Sequence, residues 1–326
     1  MGIHPWVWAV TVGVLIVILA VDVFIIGRRP HEPSMREAGL AITFFVALAA
    51  VFGIGVWIFA GGRYAGEFFA GWITEYSLSV DNLFVFVIIM SRFRVPREYQ
   101  QTALLIGIIL ALVMRGVFIA LGAAAINTFS WVFYLFGAFL VYTAVQLARQ
   151  SEPDESEVKE NFLMRLAQSR LPATDRYDGV KLLSKENGKR LVTPMLLVMV
   201  ALGTTDLMFA LDSIPAIYGL TKEPYLVFTA NVFALMGLRQ LYFLIGGLLN
   251  RLVYLSFGLA VILGFIGVKL ILHALHENML PFINGGEPVP VPEIDITVSL
   301  VFIVGTLLIT TVASLRKSRR RAKDGA

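Results

Sequence analysis

Residues 75–82 read Glu-Tyr-Ser-Leu-Ser-Val-Asp-Asn, and residues 206–213 read Asp-Leu-Met-Phe-Ala-Leu-Asp-Ser. Each segment places two carboxylic acids near the middle of a long apolar run. A charged side chain at the centre of a bilayer costs about 2.5–3.5 kcal/mol on insertion scales. Acids at this depth must face the protein interior or a wet cavity, where they are protonated, ion-paired or bound to a cation. The two segments therefore predict a polar site inside a membrane protein.

The composition of the whole chain supports this prediction. Of its 326 residues, 57% are hydrophobic and 15% are charged, against roughly 45–50% and about 25% in soluble domains. Apolar runs of about 20 residues are long enough to cross a bilayer. Nine such runs occur: 5–26, 39–60, 67–91, 102–124, 129–148, 193–220, 224–248, 252–273 and 294–315. The sequence predicts an all-α, polytopic membrane protein with nine transmembrane helices, forming one transporter domain over residues 1–326.

The positions of Lys and Arg predict the orientation. With the N-terminus outside, 22 of the 27 basic residues fall on the inside, as the positive-inside rule requires. We therefore expect an N-out, C-in topology in which residues 150–192 form a cytoplasmic loop. In that loop, Asn187-Gly188 is typical of a turn between two short extended segments. The net charge of +4 reflects this topology, and no nucleic-acid partner is expected.

The two acidic segments share one spacing, which indicates an internal repeat. Each has an acid, an Asp six residues later and then a small polar residue, and each is followed by an apolar helix with an arginine, Arg115 or Arg239. In the predicted topology, helices 3 and 6 cross the membrane in opposite directions. Helices 3–4 and 6–7 are therefore predicted to form an inverted repeat, which in secondary transporters places the site at the midplane.

Helical geometry separates the two acids of each segment. Six residues along a helix rotate the side chain by about 240° and advance it by about 9 Å, so the acids of one helix do not share a face. A site is expected where the two helices face each other, or at a helix break beside Pro215. The candidate metal ligands are Glu75, Asp81, Asn82, Asp206, Asp212 and Ser213.

The available ligands are oxygen atoms. The sequence contains no cysteine, and oxygen ligands suit Mg²⁺, Ca²⁺ or Mn²⁺ better than Zn²⁺ or Cu⁺. The alternative is structural, with the acids pairing with Arg115, Arg239 and Lys269 to lock the helices together. Asn231 is expected to support the site by hydrogen bonding between helices.

Three segments carry a family resemblance: Glu75-Tyr-Ser-Leu-Ser-Val-Asp-Asn-Leu-Phe-Val, Asp206-Leu-Met-Phe-Ala-Leu-Asp-Ser-Ile-Pro-Ala-Ile and residues 228–243. They resemble the TerC family of bacterial membrane proteins, named for tellurium resistance, and particularly its Alx-like members. The resemblance implies a multi-pass protein of the bacterial cytoplasmic (inner) membrane, in the wider LysE-like transporter group, which is associated with manganese efflux. It maps the family's acids onto Glu75, Asp81, Asp206 and Asp212. The third segment has Thr-Ala-Asn where Thr-Ser-Asn is expected.

The expected function is export of a divalent metal ion, with Mn²⁺ as substrate, no prosthetic group and no enzymatic activity. An alternative is a scaffold or metal chaperone that supplies metal to exported proteins and contacts the secretion machinery through residues 150–192. Direct tellurite export is disfavoured because carboxylates repel an oxyanion. An intramembrane aspartyl protease is disfavoured because the Gly-x-Gly-Asp signature is missing and no Tyr-Asp pair lies within an apolar run.

Overall fold

The computed structural model describes residues 3–28, 34–129, 131–149, 174, 177–186, 189–245 and 254–324. Side chains are described there except at residues 22–28, 81, 84, 185–186, 189–190, 245 and 319–324. The helices are α1 Pro5–Arg28, α2 Met35–Ala60, α3 Gly62–Arg92, α4 Arg97–Thr128, α5 Val132–Arg149, α6 Pro194–Tyr218, α7 Pro224–Leu235, α8 Leu238–Ile245, α9 Leu255–His276 and α10 Ile296–Asp324. The strands are β1 Leu183–Glu186 and β2 Lys189–Val192.

The helices have the length and surface of membrane spans. Within the described ranges, eight helical segments are long and apolar enough to cross a bilayer, with α7 and α8 together forming one of them. The first predicted span is represented by a shorter apolar stretch, Pro5–Val21. Large apolar side chains cover the outside of the bundle; Phe59, for example, is 91% exposed. A polytopic, mostly helical membrane protein is thus confirmed, while the nine crossings and the N-out orientation stay predictions. Below, the end of the bundle near Gly62 is called the outer end and the end near Arg92 the inner end, following that orientation.

Local sequence signals set several helix boundaries. Before α2, the Ser34 hydroxyl accepts a hydrogen bond from the Glu37 amide while the Glu37 carboxylate accepts one from the Ser34 amide, which forms a capping box. Pro194 and Pro224 occupy the first turns of α6 and α7, where their missing amide hydrogen costs nothing. The predicted hairpin is confirmed by the antiparallel pairing of β1 with β2, although Asn187 and Gly188 themselves lie outside the described residues.

Helix α3 lies at the centre of the bundle. It contacts α2, α6, α7, α8, α9 and α10. Because neighbours cover it on most sides, its polar side chains can be held away from lipid. At one side of the bundle, α5 and α9 approach closely at Gly137 and Gly267, where a Cβ on Gly137 would lie 2.8 Å from the Gly267 carbonyl oxygen. Small residues of this kind let membrane helices pack backbone to backbone.

The helix break does not lie where the sequence predicted it. Helix α6 continues through Pro215 to Tyr218, so the expected break beside the acids of that helix is wrong. Pro215 lies in the last turn, where few residues follow whose geometry it could disrupt. The next span is broken instead: α7 ends at Leu235, α8 begins at Leu238, and Gly237 between them has φ of 86°.

Candidate functional site

One arginine joins acids from the two segments that the sequence predicts to be repeats. The Arg115 guanidinium, on α4, contacts the Glu75 carboxylate of α3 through Nη1. Its Nη2 donates a hydrogen bond to Asp206 Oδ1 of α6 at 3.1 Å. Nη1 also donates to Asn231 Oδ1 at 3.1 Å and to Ser213 Oγ at 3.5 Å. Acids from both predicted repeats therefore meet at a single cation, and all five side chains are buried.

Helical periodicity explains why these side chains converge. Glu75, Ser79 and Asn82 follow one another at the i, i+4 and i+7 positions of α3, which fall on one stripe, and all three are buried. The Ser79 hydroxyl lies 3.4 Å from Glu75 Oε1 and donates to it. In α6, Asp206 and Ser213 are likewise i and i+7, and both face Arg115. The buried polar faces of α3 and α6 therefore meet at Arg115.

Several polar atoms in this cluster have no hydrogen-bond partner in the described part of the chain. They are Oε2 of Glu75, Oδ2 of Asp206 and Nε of Arg115. An unpaired buried polar atom is costly. With both carboxylates ionised and Arg115 protonated, the cluster carries one net negative charge. The arrangement therefore has both the unused oxygen atoms and the charge needed to attract another cation.

A small cavity adjoins the cluster on its inner side. Its polar lining comes from Ser79, Asn82, Arg115 and Asp206. It offers about 10 Å³ to the centre of a water-sized sphere, which is about enough for a single water molecule. A fully hydrated metal ion does not fit in this arrangement, so a cation bound here must shed most of its water or bind after a conformational change.

The broken helix borders the same cavity. Leu235, the last residue of α7, and Leu238, the first of α8, both line it. Helix breaks inside a membrane protein expose backbone amides and carbonyls only where they face protein or a cavity, and transporters use such breaks at their substrate sites. The sequence signal for this break is Gly237 within an otherwise apolar run, a signal weaker than that of the proline in α6.

Substituting Gly237 with Ala is expected to destabilise the protein by about 1–2 kcal/mol, because an L-residue strains at positive φ. The added Cβ would also lie 3.1 Å from the ring of Phe45. Thermal unfolding in detergent measures the effect. The matched control is Gly55→Ala in α2, where the added Cβ meets nothing within 4 Å and helix propensity favours Ala. Equal melting temperatures for the two variants would contradict the assigned break.

The remaining predicted residues fall into other environments. Asp212 accepts a hydrogen bond from Thr143 of α5 at 3.2 Å, so it belongs to the α5–α6 contact rather than to the Arg115 cluster. Lys269 donates to Ser299 of α10 at 3.0 Å, near the outer end, and not to the midplane acids as expected. Arg239 is buried in the first turn of α8. The side chain of Asp81 lies outside the described residues.

The described side chains do not form a recognisable cluster of metal ligands. Among the described residues, no group of three or more His, Cys, Asp or Glu side chains is arranged to hold a metal ion. The physical reason is visible at the cluster, where the Arg115 guanidinium lies between Glu75 and Asp206. In the described structure Asp212 lies apart from Glu75 and Asp206, on Thr143, and the Asp81 side chain is not described, so a site formed by all four acids stays a prediction.

One buried acid was missed in the sequence. Glu67 lies near the outer end of α3 and is only 5% exposed. It accepts hydrogen bonds from Arg63 at 3.0 Å and from Thr221 at 2.6 Å. It begins the apolar run 67–91, a position typical of the membrane surface, and it lies at i on the i, i+4, i+8 stripe that leads through Gly71 to Glu75.

The comparisons with known proteins agree on one family. The profile described as "Integral membrane protein TerC family" matches residues 60–322. A membrane protein of Mycobacterium tuberculosis (strain ATCC 25618 / H37Rv) is 51% identical over 99% of this chain and 82% of its own length. The thylakoid membrane protein TERC of Arabidopsis thaliana is 43% identical over 74% of this chain and 63% of its own length.

A protein of Escherichia coli (strain K12), Alx, is 35% identical over 98% of this chain and 97% of its own length, and its name describes a membrane-bound redox modulator. No solved structure matches the chain.

Proposed function

The chain belongs to the TerC family of integral membrane proteins, and from that premise we propose that it is a secondary transporter that exports divalent metal ions, above all Mn²⁺, from the bacterial cytoplasm. The observation that carries the proposal is the cluster around Arg115. One guanidinium holds Glu75 and Asp206, from the two repeats, and each carboxylate keeps a second oxygen without a described partner.

The chemistry of the cluster favours a hard cation. One carboxylate, one amide and one hydroxyl side chain, those of Asp206, Asn82 and Ser79, line the cavity beside Arg115 and six apolar residues, and oxygen ligands of these kinds suit Mg²⁺, Ca²⁺ and Mn²⁺. Mg²⁺ gives up its water reluctantly and Ca²⁺ needs 6–8 oxygen ligands. A cavity with room for one water disfavours an ion that keeps several waters, as Mg²⁺ does. Between Ca²⁺ and Mn²⁺, the choice of Mn²⁺ rests on the family resemblance.

In the proposed mechanism, Arg115 acts as an internal counter-ion for the two carboxylates. In the empty site its charge offsets one of the two carboxylates, which lowers the cost of burying them. A divalent cation that enters from the inner side competes with the guanidinium for the same oxygen atoms. Return of the guanidinium to Glu75 and Asp206 would then expel the metal once the repeats have moved and opened the outer side.

The names of the relatives fit this proposal indirectly. This sequence contains no cysteine, so a redox effect like that in the name of the Alx relative would not use thiols of this chain. A supply of redox-active metal ions offers another route. An effect on tellurium resistance would also be indirect, because the net negative charge of the cluster disfavours an oxyanion.

Purified protein in liposomes tests the proposal. We expect wild-type protein to carry Mn²⁺ down its gradient, with Mg²⁺ at equal concentration carried more slowly. Protein-free liposomes and liposomes with heat-denatured protein are the controls. No Mn²⁺ flux above these controls, under any applied proton gradient, would overturn the transporter proposal.

That same result would favour the alternative, a scaffold or metal chaperone that acts through residues 150–192. The described part of this loop lies against the bundle, since the Tyr177 hydroxyl donates to the Phe93 carbonyl at 2.8 Å. Residues 150–173 lie outside the described residues, so a contact with secretion machinery rests on the sequence alone.

A further inference from the structure

We propose that the inner half of α10 binds an anionic phospholipid, with one acyl chain in a groove along the helix and the headgroup phosphate at Arg316. The groove is lined by Leu308, Ile309, Val312, Ala313 and Arg316 and is called the α10 groove below. The inference goes beyond the proposed function and does not depend on metal transport.

The first argument is the depth of the α10 groove in the bilayer. Helix α10 begins at the outer end, where Ile296 Cγ1 lies 3.7 Å from the position of a Cβ added to Gly66 of α3. Arg316 follows Ile296 by 20 residues, about 30 Å along the helix axis, which is the thickness of the hydrocarbon core. Arg316 therefore lies at the level of the lipid phosphates at the inner end. The groove continues from there for about 12 Å toward the midplane, within the depth of one leaflet.

The second argument is the shape and lining of the α10 groove. Its residues recur at positions i, i+1, i+4, i+5 and i+8, which form one stripe along a helix. Ala313 is smaller than the Leu, Ile and Val side chains beside it, and the groove has a volume of about 390 Å³. Leu308 and Ile309 are 62% and 71% exposed, so they are open to the bilayer in the part of the chain that the structure describes. A lipid chain, rather than water, matches this apolar lining.

The third argument is the positive charge at the inner end of the groove. Arg316 is exposed, residues 316–323 contain six Lys or Arg, and α10 has no acidic residue before Asp324. A run of basic residues directly after a membrane helix attracts anionic lipids, and a guanidinium binds phosphate through two parallel hydrogen bonds. An apolar groove that ends in this charge is complementary to a molecule with an apolar chain and an anionic head.

A contact beside the groove supports the assigned depth. The Lys317 ammonium lies 4.8 Å from the centre of the Tyr254 ring, and the Tyr254 amide donates a hydrogen bond to Ser314 Oγ at 2.9 Å. Tyrosine is enriched at the level of the lipid headgroups, so Tyr254 independently indicates that this part of α10 lies at the membrane–water interface. Lys317 is directed toward the start of α9, while Arg316 lines the groove.

Displacement of a fluorescent phosphatidylglycerol from the purified full-length protein in detergent tests the proposal. Unlabelled phosphatidylglycerol is expected to displace the probe at a concentration at least about fivefold lower than phosphatidylcholine with the same acyl chains, because only the former carries a net charge. Arg316→Gln is expected to weaken phosphatidylglycerol binding about fivefold, which is the effect of one basic residue near an anionic lipid. The control, Arg149→Gln, removes an exposed arginine at the inner end of α5 and is expected to leave binding unchanged.

A second pair of variants tests the groove itself. Ala313→Leu fills the groove and is expected to weaken phosphatidylglycerol binding about tenfold, as the loss of contacts to about two methylene groups would do. Ala148→Leu makes the same change at an exposed position in the last turn of α5 and should have no effect.

Three results would each overturn the proposal: equal displacement by the two lipids, equal effects of Arg316→Gln and Arg149→Gln, or unchanged binding in Ala313→Leu. Each would mean that lipid contacts α10 as it contacts any membrane helix, without a defined site. Because binding is measured without Mn²⁺, the result is independent of the transporter proposal.

Discussion

Replacing Arg115 with Gln is expected to lower the free energy of unfolding by about 3–5 kcal/mol, because it leaves Glu75 and Asp206 buried without their counter-ion. Mn²⁺ is then expected to restore much of the loss. A ligand present at 100 times its dissociation constant stabilises the folded state by about 2.7 kcal/mol. Removing the competing guanidinium should also make Mn²⁺ bind more tightly than in the wild type.

Thermal unfolding in detergent, with and without Mn²⁺, measures both effects. The control variant is Arg149→Gln, which removes an exposed arginine at the end of α5 and should change stability by less than about 1 kcal/mol. A destabilised Arg115→Gln protein that Mn²⁺ does not rescue would mean that the arginine only locks the helices together, as in the structural alternative.

Substituting Asp206 with Asn is expected to reduce Mn²⁺ flux at least about 100-fold, since even groups that merely support a metal ligand cost 10–100-fold in affinity or activity. Asn keeps the size of the side chain and leaves the contact with Arg115 partly intact. A loss of Mn²⁺ flux in Asp206→Asn would therefore be caused by the missing negative charge.

Asp212→Asn is the matched comparison in the same helix. Asp212 bonds to Thr143 and not to Arg115 in this structure, so its substitution should retain a flux at least about tenfold above that of Asp206→Asn. Initial rates from liposomes with equal amounts of folded protein decide the comparison. Equal losses would place Asp212 in the metal site, as the sequence alone predicted.

Much of the candidate site could be predicted because it follows from local rules. The cost of burying acids in a membrane identifies Glu75 and Asp206, and the 3.6-residue period of the helix places Ser79, Asn82 and Ser213 beside them. The shared spacing of the two segments predicts that they meet. These predictions need only the periodicity of a single helix and the energetic cost of a charge inside the bilayer.

The pairing within the site could not be predicted, because it depends on how the helices pack. The two predicted repeats each offer an arginine. In the part of the chain that the structure describes, Arg115 contacts both Glu75 and Asp206, while Arg239 occupies the first turn of α8. The sequence repeat treats these arginines as equivalent. The break before α8 moves the second one relative to the acids, which makes the two halves unequal.

Other differences have the same origin. Lys269 is in an apolar run and was expected to pair with the midplane acids, but its position along α9 brings it to Ser299 near the outer end of the bundle. Proline is the stronger helix-breaking signal, but Pro215 lies in the last turn of α6, where little helix remains to be disrupted. Gly237 lies in the middle of a span and separates α7 from α8. Position within the helix, rather than residue type, decides the outcome.

The central claim is that Glu75 and Asp206 hold a divalent cation in competition with Arg115. The most direct measurement is an electron paramagnetic resonance titration of purified protein with Mn²⁺, which separates bound from free ion. We predict saturable Mn²⁺ binding by the wild type, tighter binding by Arg115→Gln, and loss of that binding in Asp206→Asn. Equal Mn²⁺ binding by all three proteins would contradict the claim.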